Sequence, residues 1–415
     1  MRVIHLMRKY NPAEWGGTET AVQRLVQGLR HHGVSPVAFA PRLEGAAPAG
    51  RDPLVEAGAE VKRFTARVPV WGIGAEQREQ LISVGGNLLS FDLPWKMMRE
   101  PGVALIHTHA GNRLGGIALR VAQARRIPLV ASIHGGVLDL PAETKAYLQK
   151  PLEGGVEWGK IFGLLLQSRR VLERASAIFT CNKKEAELLR QKYPGKRIVV
   201  QAHGVTAKHY EADQRAVARR AYPQIEGRRI LLAVGRIDPV KNQRWLLEQF
   251  PTLLRKFPDT LLVLAGSCTD APYGKVIEKQ IEALGLQDRV LLTGGIPPGD
   301  ARLLGLFQSA SVVVLPSISE TFGLVILEAW AAGAAVLASR TSGALDLIEP
   351  GRNGWLFDLE SPEQFQEAAG TALSCPGLAV EMARAGRELV LRKYDTVVLG
   401  GEVKKIYEEL IEEKR

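Results

Sequence analysis

Short apolar and β-branched runs alternate with helix-patterned stretches along this chain, and the alternation restarts near residue 229. The first series comprises VIHLM (3–7), PVAFA (36–40), ALIHTH (104–109), PLVASIH (128–134), AIFTC (177–181) and IVVQAH (198–203). The second comprises RILLAVG (229–235), TLLVLAG (260–266), RVLLTG (289–294), SVVVLPS (311–317) and AAVLAS (334–339). Strand runs separated by helices predict a parallel sheet flanked by helices. With 415 residues to bury, two series predict two Rossmann-like, doubly wound α/β domains in tandem, because a single core of that size is unfavourable. The expected domains are 1–205 and 206–393, with the polar segment from about 205 to 227 as a linker between the two series. Ligands of open α/β sheets bind beyond the carboxyl ends of the strands, so the two domains are expected to face one another across a deep cleft.

The stretch from Glu19 to His31 reads as a helix, with Gly33 as its stop. Residues 66–100 are apolar but broken by glycines, and fit either an acceptor-side insertion or a helix-loop-helix core element. Composition excludes disordered and fibrous classes, with 46% hydrophobic and 24% charged residues. Cys181, Cys268 and Cys375 are too scattered for a zinc site or a disulfide framework and read as free thiols. The N-terminus enters a strand directly without a secretory signal, and no apolar run is long enough to span a membrane. A chain folded in the cytoplasm is expected. Residues 1–205 carry 29 Lys/Arg against 17 Asp/Glu, a balance of +12, whereas 206–415 carry 25 against 27, or −2. A basic first half attracts nucleic acid, an anionic membrane or an acidic substrate, or is simply a solvated face.

Four motifs carry chemistry. After SVVVLPS comes a loop ending at Glu320, then a helix expected to begin between Thr321 and Gly323 and to run to Gly333. A helix N-terminus offers unpaired N–H groups and a positive dipole end to a diphosphate, and Gly323 permits close approach. Glu320 and Glu328 are separated by roughly 12 Å of helical rise, which suits a sugar at one end of a diphosphate and a ribose at the other. GRIDPVKNQ (235–243) follows a strand and supplies Arg236 and Lys241, two cations able to stabilise charge on a leaving phosphate without a metal. GGTE (16–19) opens a helix but is not G-x-G-x-x-G, so a nicotinamide enzyme is disfavoured. His107 and His109 end one run and His134 ends the next; alternating on strands, they fit core positions or metal ligands.

These residues resemble the retaining family 4 glycosyltransferases of GT-B fold. Their pattern P-S-x-x-E-x-F-G-L-x-x-L-E-A-x-A-x-G is matched by Pro316, Ser317, Glu320, Phe322, Gly323, Leu324, Leu327, Glu328, Ala329, Ala331 and Gly333. The resemblance implies that Glu320 faces the donor sugar, that the backbone at Thr321, Phe322, Gly323 and Leu324 holds the phosphates, and that Glu328 binds the ribose. Arg236 and Lys241 match the pair that stabilises the departing diphosphate, with Gly235 beside them. Asn242 stands where the family often has glycine, a change expected to alter loop shape more than chemistry. Gly16 and Gly17 match a loop directed to the donor phosphate and acceptor, and Ile296 a backbone contact to the nucleobase. His134 matches a catalytic histidine contacting donor or acceptor sugar, and His109, with His107 beside it, the acceptor side. TSGALDLIEPGRNGWLF (341–357) follows the family with departures at Ala344 and Asp346.

The resemblance further implies a UDP- or GDP-sugar donor and a carbohydrate or lipid-linked acceptor in polysaccharide, lipopolysaccharide or glycolipid synthesis. It also implies no metal, no cofactor, no nucleic-acid partner, and a terminal helix after about residue 394 that returns to the first domain. The basic first half adds an expected peripheral contact with anionic membrane. A nucleotide-sugar 2-epimerase and a non-catalytic nucleotide-sugar-binding subunit are the rival readings of this architecture.

Overall fold

The computed structural model describes residues 1–10, 16–42, 52–83, 88–134, 138 and 156–415. They form two compact units, Met1–His203 together with Thr396–Arg415, and Gly204–Asp395.

The first unit is built on seven parallel strands: β1 (Arg2–Leu6), β2 (Ser35–Arg42), β3 (Glu60–Thr65), β4 (Val103–Thr108), β5 (Leu129–Ile133), β6 (Ala177–Thr180) and β7 (Ile198–Val200). Their spatial order is β3-β2-β1-β4-β5-β6-β7, so the winding direction reverses between β1 and β4. Strand β3 is absent from the sequence expectation because this edge strand, EVKRFT, buries only Phe64 and so lacks a continuous apolar run. Residues 66–100 contain the helices Ala75–Ser83 and Leu93–Arg99, with 84–87 outside the described residues. The helix anticipated from Glu19 spans Gly17–His31, and Gly33 follows in the left-handed conformation (φ +76°) that glycine adopts at little cost.

Each face of this sheet buries its own cluster. Ile4, Leu6, Phe39 and Ile106 pack with Leu114 and Ile117 of the helix Asn112–Arg125. On the other face, Val3, Leu105, Val130 and Phe179 pack with Leu29 and with Val403, Tyr407 and Leu410 of the helix Thr396–Glu412. The two covering helices touch backbone to backbone: a Cβ on Gly28 would lie 2.0 Å from the Thr396 carbonyl oxygen, and one on Gly400 only 2.2 Å from the Gly28 carbonyl carbon.

The second unit holds six parallel strands: β8 (Arg229–Val234), β9 (Thr260–Ala265), β10 (Val290–Gly294), β11 (Val312–Leu315), β12 (Val336–Ser339) and β13 (Trp355–Phe357). Their order is β10-β9-β8-β11-β12-β13, with the reversal between β8 and β11. Only β13, three residues long, escaped the sequence reading. The segment expected as a linker is instead folded into this unit. It carries the helix Arg215–Ala221, which packs so closely on the helix Ala301–Ser309 that a Cβ on Gly305 would lie 2.2 Å from the Gln214 carbonyl oxygen. Its polarity reflects exposed arginines around one buried residue, Ala218. The cysteines are free thiols, and no described helix is long and apolar enough to cross a membrane.

The Gly28–Gly400 contact leaves no room for a side chain, so Gly400→Val is expected to lower stability by about 2–3 kcal/mol through overpacking. Thermal unfolding checks this: the transition should fall by about 5–10 °C, and an unchanged midpoint would contradict the close approach.

Candidate functional site

In an open parallel sheet, the reversal of strand order leaves a crevice at the carboxyl ends of the two strands that flank it. In the second unit these are β8 and β11, and the loops leaving them carry the motifs. Gly235 follows β8 with φ +152°, and a Cβ on Gly266, which follows β9, would stand 1.9 Å from the Gly235 carbonyl oxygen. The Ile237 N–H donates to the Ser267 carbonyl at 2.9 Å, laying the first loop against the second. Asp238 then accepts from the Lys241 N–H through its side chain (3.0 Å) and forms the turn that delivers Lys241. Asn242 begins the helix Gln243–Lys256 at φ +56°. It takes the left-handed conformation available to glycine, which asparagine tolerates, so the loop turns without a glycine there.

The loop leaving β11 is tied to this one by the Ile318 N–H, which donates to the Val240 carbonyl at 2.8 Å. The Lys241 side chain runs over Gly235 and reaches Glu320, Nζ to Oε2 at 2.5 Å. The other carboxylate oxygen of Glu320 accepts from the Gly323 N–H at 3.2 Å. Burial alone would push the Glu320 carboxyl up, but the Lys241 charge and hydrogen bond, with the N–H groups of Gly323 and Phe322, hold it below the usual carboxylate range. Arg236 is more than half exposed and lies 3.1 Å from Asp238.

The helix begins at Leu324 and runs to Ala331, with Gly323 (φ +89°) as its cap. Glu320, Thr321 and Phe322 therefore precede the helix that carries Glu328. The separation of Glu320 and Glu328 along one helix axis is thus not realised, because the left-handed turn at Gly323 starts the helix later than the apolar pattern suggests. The loop is braced from behind by residues to which the sequence reading gave no such role. The Gly343 N–H donates to the Glu320 carbonyl at 2.8 Å, and a Cβ on Gly343 would lie 2.5 Å from the Phe322 carbonyl carbon. The Ser339 hydroxyl donates to the Ser317 carbonyl at 2.6 Å. The Thr-Ser-Gly run at 341–343 was the available signal. Ile296 lies farther out, in the loop beyond β10, two strands from β8 in the sheet order.

The first unit gathers histidines at its own reversal point. The β1/β4 register sets His5 beside His107, His109 follows β4, and His134 follows β5. His5 Nδ1 lies 3.1 Å from His109 Nε2, and His109 Nδ1 lies 2.9 Å from His134 Nε2. His134 stacks on His203 with ring centroids 5.2 Å apart. His107 contacts the Tyr407 hydroxyl through Nδ1 (2.5 Å) and the Ser132 hydroxyl through Nε2 (2.6 Å). Burial lowers His5 to about 3, and burial with the Arg8 charge lowers His134 to about 4. Burial, reinforced by neighbouring histidines, holds His107 and His109 well below the ordinary value. The rings are therefore neutral hydrogen-bonding groups at physiological pH. His5 and His203 were not anticipated, and only the strand register could have linked residue 5 to residue 107. Gly16 and Gly17 open the helix Gly17–His31, where the Gly16 N–H donates to the Glu19 carboxylate at 3.1 Å. Residues 11–15, which precede them, lie outside the described residues.

The second unit thus surrounds one crevice edge with two cations, a helix N-terminus and a partly buried carboxylate, an arrangement able to hold an anion and orient hydroxyls. Comparison with known proteins agrees with that chemistry. Residues 214–389 match the family model for glycosyl transferases group 1, and residues 16–204 match that for a glycosyl transferase 4-like domain. The D-inositol 3-phosphate glycosyltransferase of Acidothermus cellulolyticus is 31% identical over 331 residues, covering 77% of this chain and 70% of that protein. The alpha-D-kanosaminyltransferase of Streptomyces kanamyceticus is 27% identical, covering 86% and 91%. Among solved structures, Anabaena HepE in complex with UDP and glucose superposes with a TM-score of 0.72 at 20% identity, covering 98% of this chain and 99% of that one. Sucrose-phosphate synthase of Thermosynechococcus elongatus gives 0.72 at 21% identity, covering 99% of each chain. The chain belongs to the group 1, family 4 glycosyltransferases of GT-B fold.

Proposed function

We propose that this glycosyltransferase is a retaining enzyme that moves a sugar from a nucleoside diphosphate, with uridine or guanosine as base, to an acceptor hydroxyl. The single observation that carries the reading is the Lys241–Glu320 contact at 2.5 Å, which joins the two motifs at the β8/β11 reversal point. In this reading the second unit binds the donor. Arg236 turns from Asp238 toward the leaving diphosphate, Lys241 neutralises it from the other side, and the N–H groups at the start of the helix Leu324–Ala331 complete the cradle. Glu320 holds Lys241 in place and accepts hydrogen bonds from sugar hydroxyls, and Glu328 binds the ribose. The two cations supply the charge stabilisation that a metal would otherwise provide, and the leaving phosphate takes the acceptor proton, so no side chain serves as a covalent nucleophile. Two structural neighbours, HepE in complex with UDP and glucose and an E. coli trehalose-6-phosphate structure bound with UDP-2-fluoro glucose, favour uridine as the first base to try.

The first unit takes the acceptor, with His109 and His134 on that side. Its charge of +12 over residues 1–205 accompanies an exposed apolar surface. Leu164 is 81% exposed, Ile161 and Leu165 beside it are exposed too, and the exposed Trp71 lies against Trp158. Exposed Lys160, Arg169 and Arg170 flank this apolar segment in the chain, a combination that fits an anionic membrane surface and supports a lipid-linked acceptor in glycolipid or cell-envelope polysaccharide synthesis.

Arg236→Ala and Lys241→Ala are each expected to lower kcat by about 100-fold or more on the preferred donor, and chelators should leave turnover intact; near-normal variant rates or strict chelator inhibition would overturn the mechanism. A carboxyl depressed in the folded state adds stability above its unfolded value, about 4.3, and loses it as pH falls through the lowered one. Glu320→Gln should therefore be destabilised by about 1–3 kcal/mol at neutral pH, with the gap to wild type narrowing in acid, as urea unfolding at several pH values would read. Binding to anionic vesicles should weaken with salt and with Leu164→Glu; absence of binding would remove the membrane reading while leaving the donor reading untouched.

A further inference from the structure

Three histidines of the first unit meet the geometric requirements of a metal site, a role separate from the acceptor-side position proposed for His109. One ring nitrogen from each of His5, His107 and His109 lies within 4.8 Å of the other two, and all three residues are buried. His5 Nδ1 and His109 Nε2 face each other at 3.1 Å. Two nitrogens bound to one tetrahedral ion, each at about 2.0–2.1 Å, stand roughly 3.3–3.4 Å apart, so this pair is already near the spacing of an occupied site. For Nδ1 to ligate, the His5 proton must sit on Nε2, which is buried and has no hydrogen-bond partner competing for that tautomer. We propose that His5, His107 and His109 form a binding site for a divalent transition-metal ion of the imidazole-preferring class, such as zinc, cobalt or nickel.

The surroundings supply an orienting partner to two of the three ligands, His107 and His109, while the strand register holds His5. A ligating imidazole is oriented by a hydrogen bond from its other nitrogen. His107 has two candidates, Tyr407 at 2.5 Å and Ser132 at 2.6 Å, and keeps one while releasing the other. His109 keeps its Nδ1 contact to His134 at 2.9 Å when the ion takes Nε2. The ion then replaces the shared proton between His5 and His109 and fixes the His109 proton on Nδ1, directed at His134. All three rings are neutral and each retains one proton, so binding moves protons between ring nitrogens and releases none. The longer separations run to His107, which must swing inward, and a water or small anion fills the remaining position. His109 is the most exposed of the three, at 6%, and marks the side from which an ion enters.

The test is titration of the full chain with cobalt(II), read by its visible absorption, and with zinc, read by thermal unfolding. The wild type should bind one ion with a tetrahedral cobalt spectrum, and saturating zinc should raise the transition by about 5 °C. His5→Gln and His109→Gln should each weaken binding by at least about tenfold, while a His31→Gln surface variant, which removes an exposed histidine, should bind as the wild type does. Loss of binding in the surface variant alone, or no cobalt spectrum in a folded wild type, overturns the proposal. Should His5→Gln fail to fold, His109→Gln and the wild-type stoichiometry still decide it.

Discussion

Parallel strands can be joined only by crossovers, and the side to which each crossover turns fixes where helices lie. Where the turning direction changes, two neighbouring strands send their following segments to opposite faces, and their carboxyl ends are left open. Both units contain one such reversal, between β1 and β4 and between β8 and β11, and each places a cluster of titratable side chains there. At the second unit's reversal, Lys241 and Glu320 come from segments 79 residues apart and meet because β8 and β11 are neighbours. The pair is partly desolvated, which makes the loss of either partner costly and the geometry of both strict.

Glycines and small polar groups make that geometry attainable. Gly266 and Gly343 lie where any side chain would collide with the backbone of Gly235 or Phe322, so the loops rest on one another without an intervening layer. Gly323 and Asn242 adopt left-handed conformations that start two helices facing the same crevice. The polar chemistry is positioned by main-chain packing, and the side chains that do the chemistry arrive on a support that does not depend on their own rotamers.

The sequence was legible where burial is complete. Strands such as Thr260–Ala265, buried along their whole length, read as unbroken apolar runs, and the Pro316–Gly333 and Gly235–Lys241 motifs lie at their ends. It was illegible where structure depends on partners distant in the chain. Edge strand β3 has one buried residue, and β13 has three residues in all. Arg215–Ala221 hides a helix behind arginines because its only buried contact is Ala218 against a glycine of another helix. The start of the helix at Leu324 turned on a single positive φ, which apolar periodicity does not encode. His5 sits in an ordinary strand run, and nothing in its spacing announces the histidines that the β1/β4 register sets beside it.

The helix Thr396–Glu412 covers the first unit's sheet, places Tyr407 against His107, and seats Gly400 on Gly28. It is also separated from the rest of that unit by the whole of the second. The second unit is thus an insertion in the first, entered and left by adjacent segments: Val205 bonds to Tyr394 and bridges to Asp395. On the ribosome, where domains complete themselves as their residues emerge, the order of maturation is inverted relative to the order of synthesis. The second unit has all its residues once Asp395 is out, whereas the first must hold part of one sheet face, around Val3, Leu105 and Phe179, uncovered until the helix Thr396–Glu412 arrives.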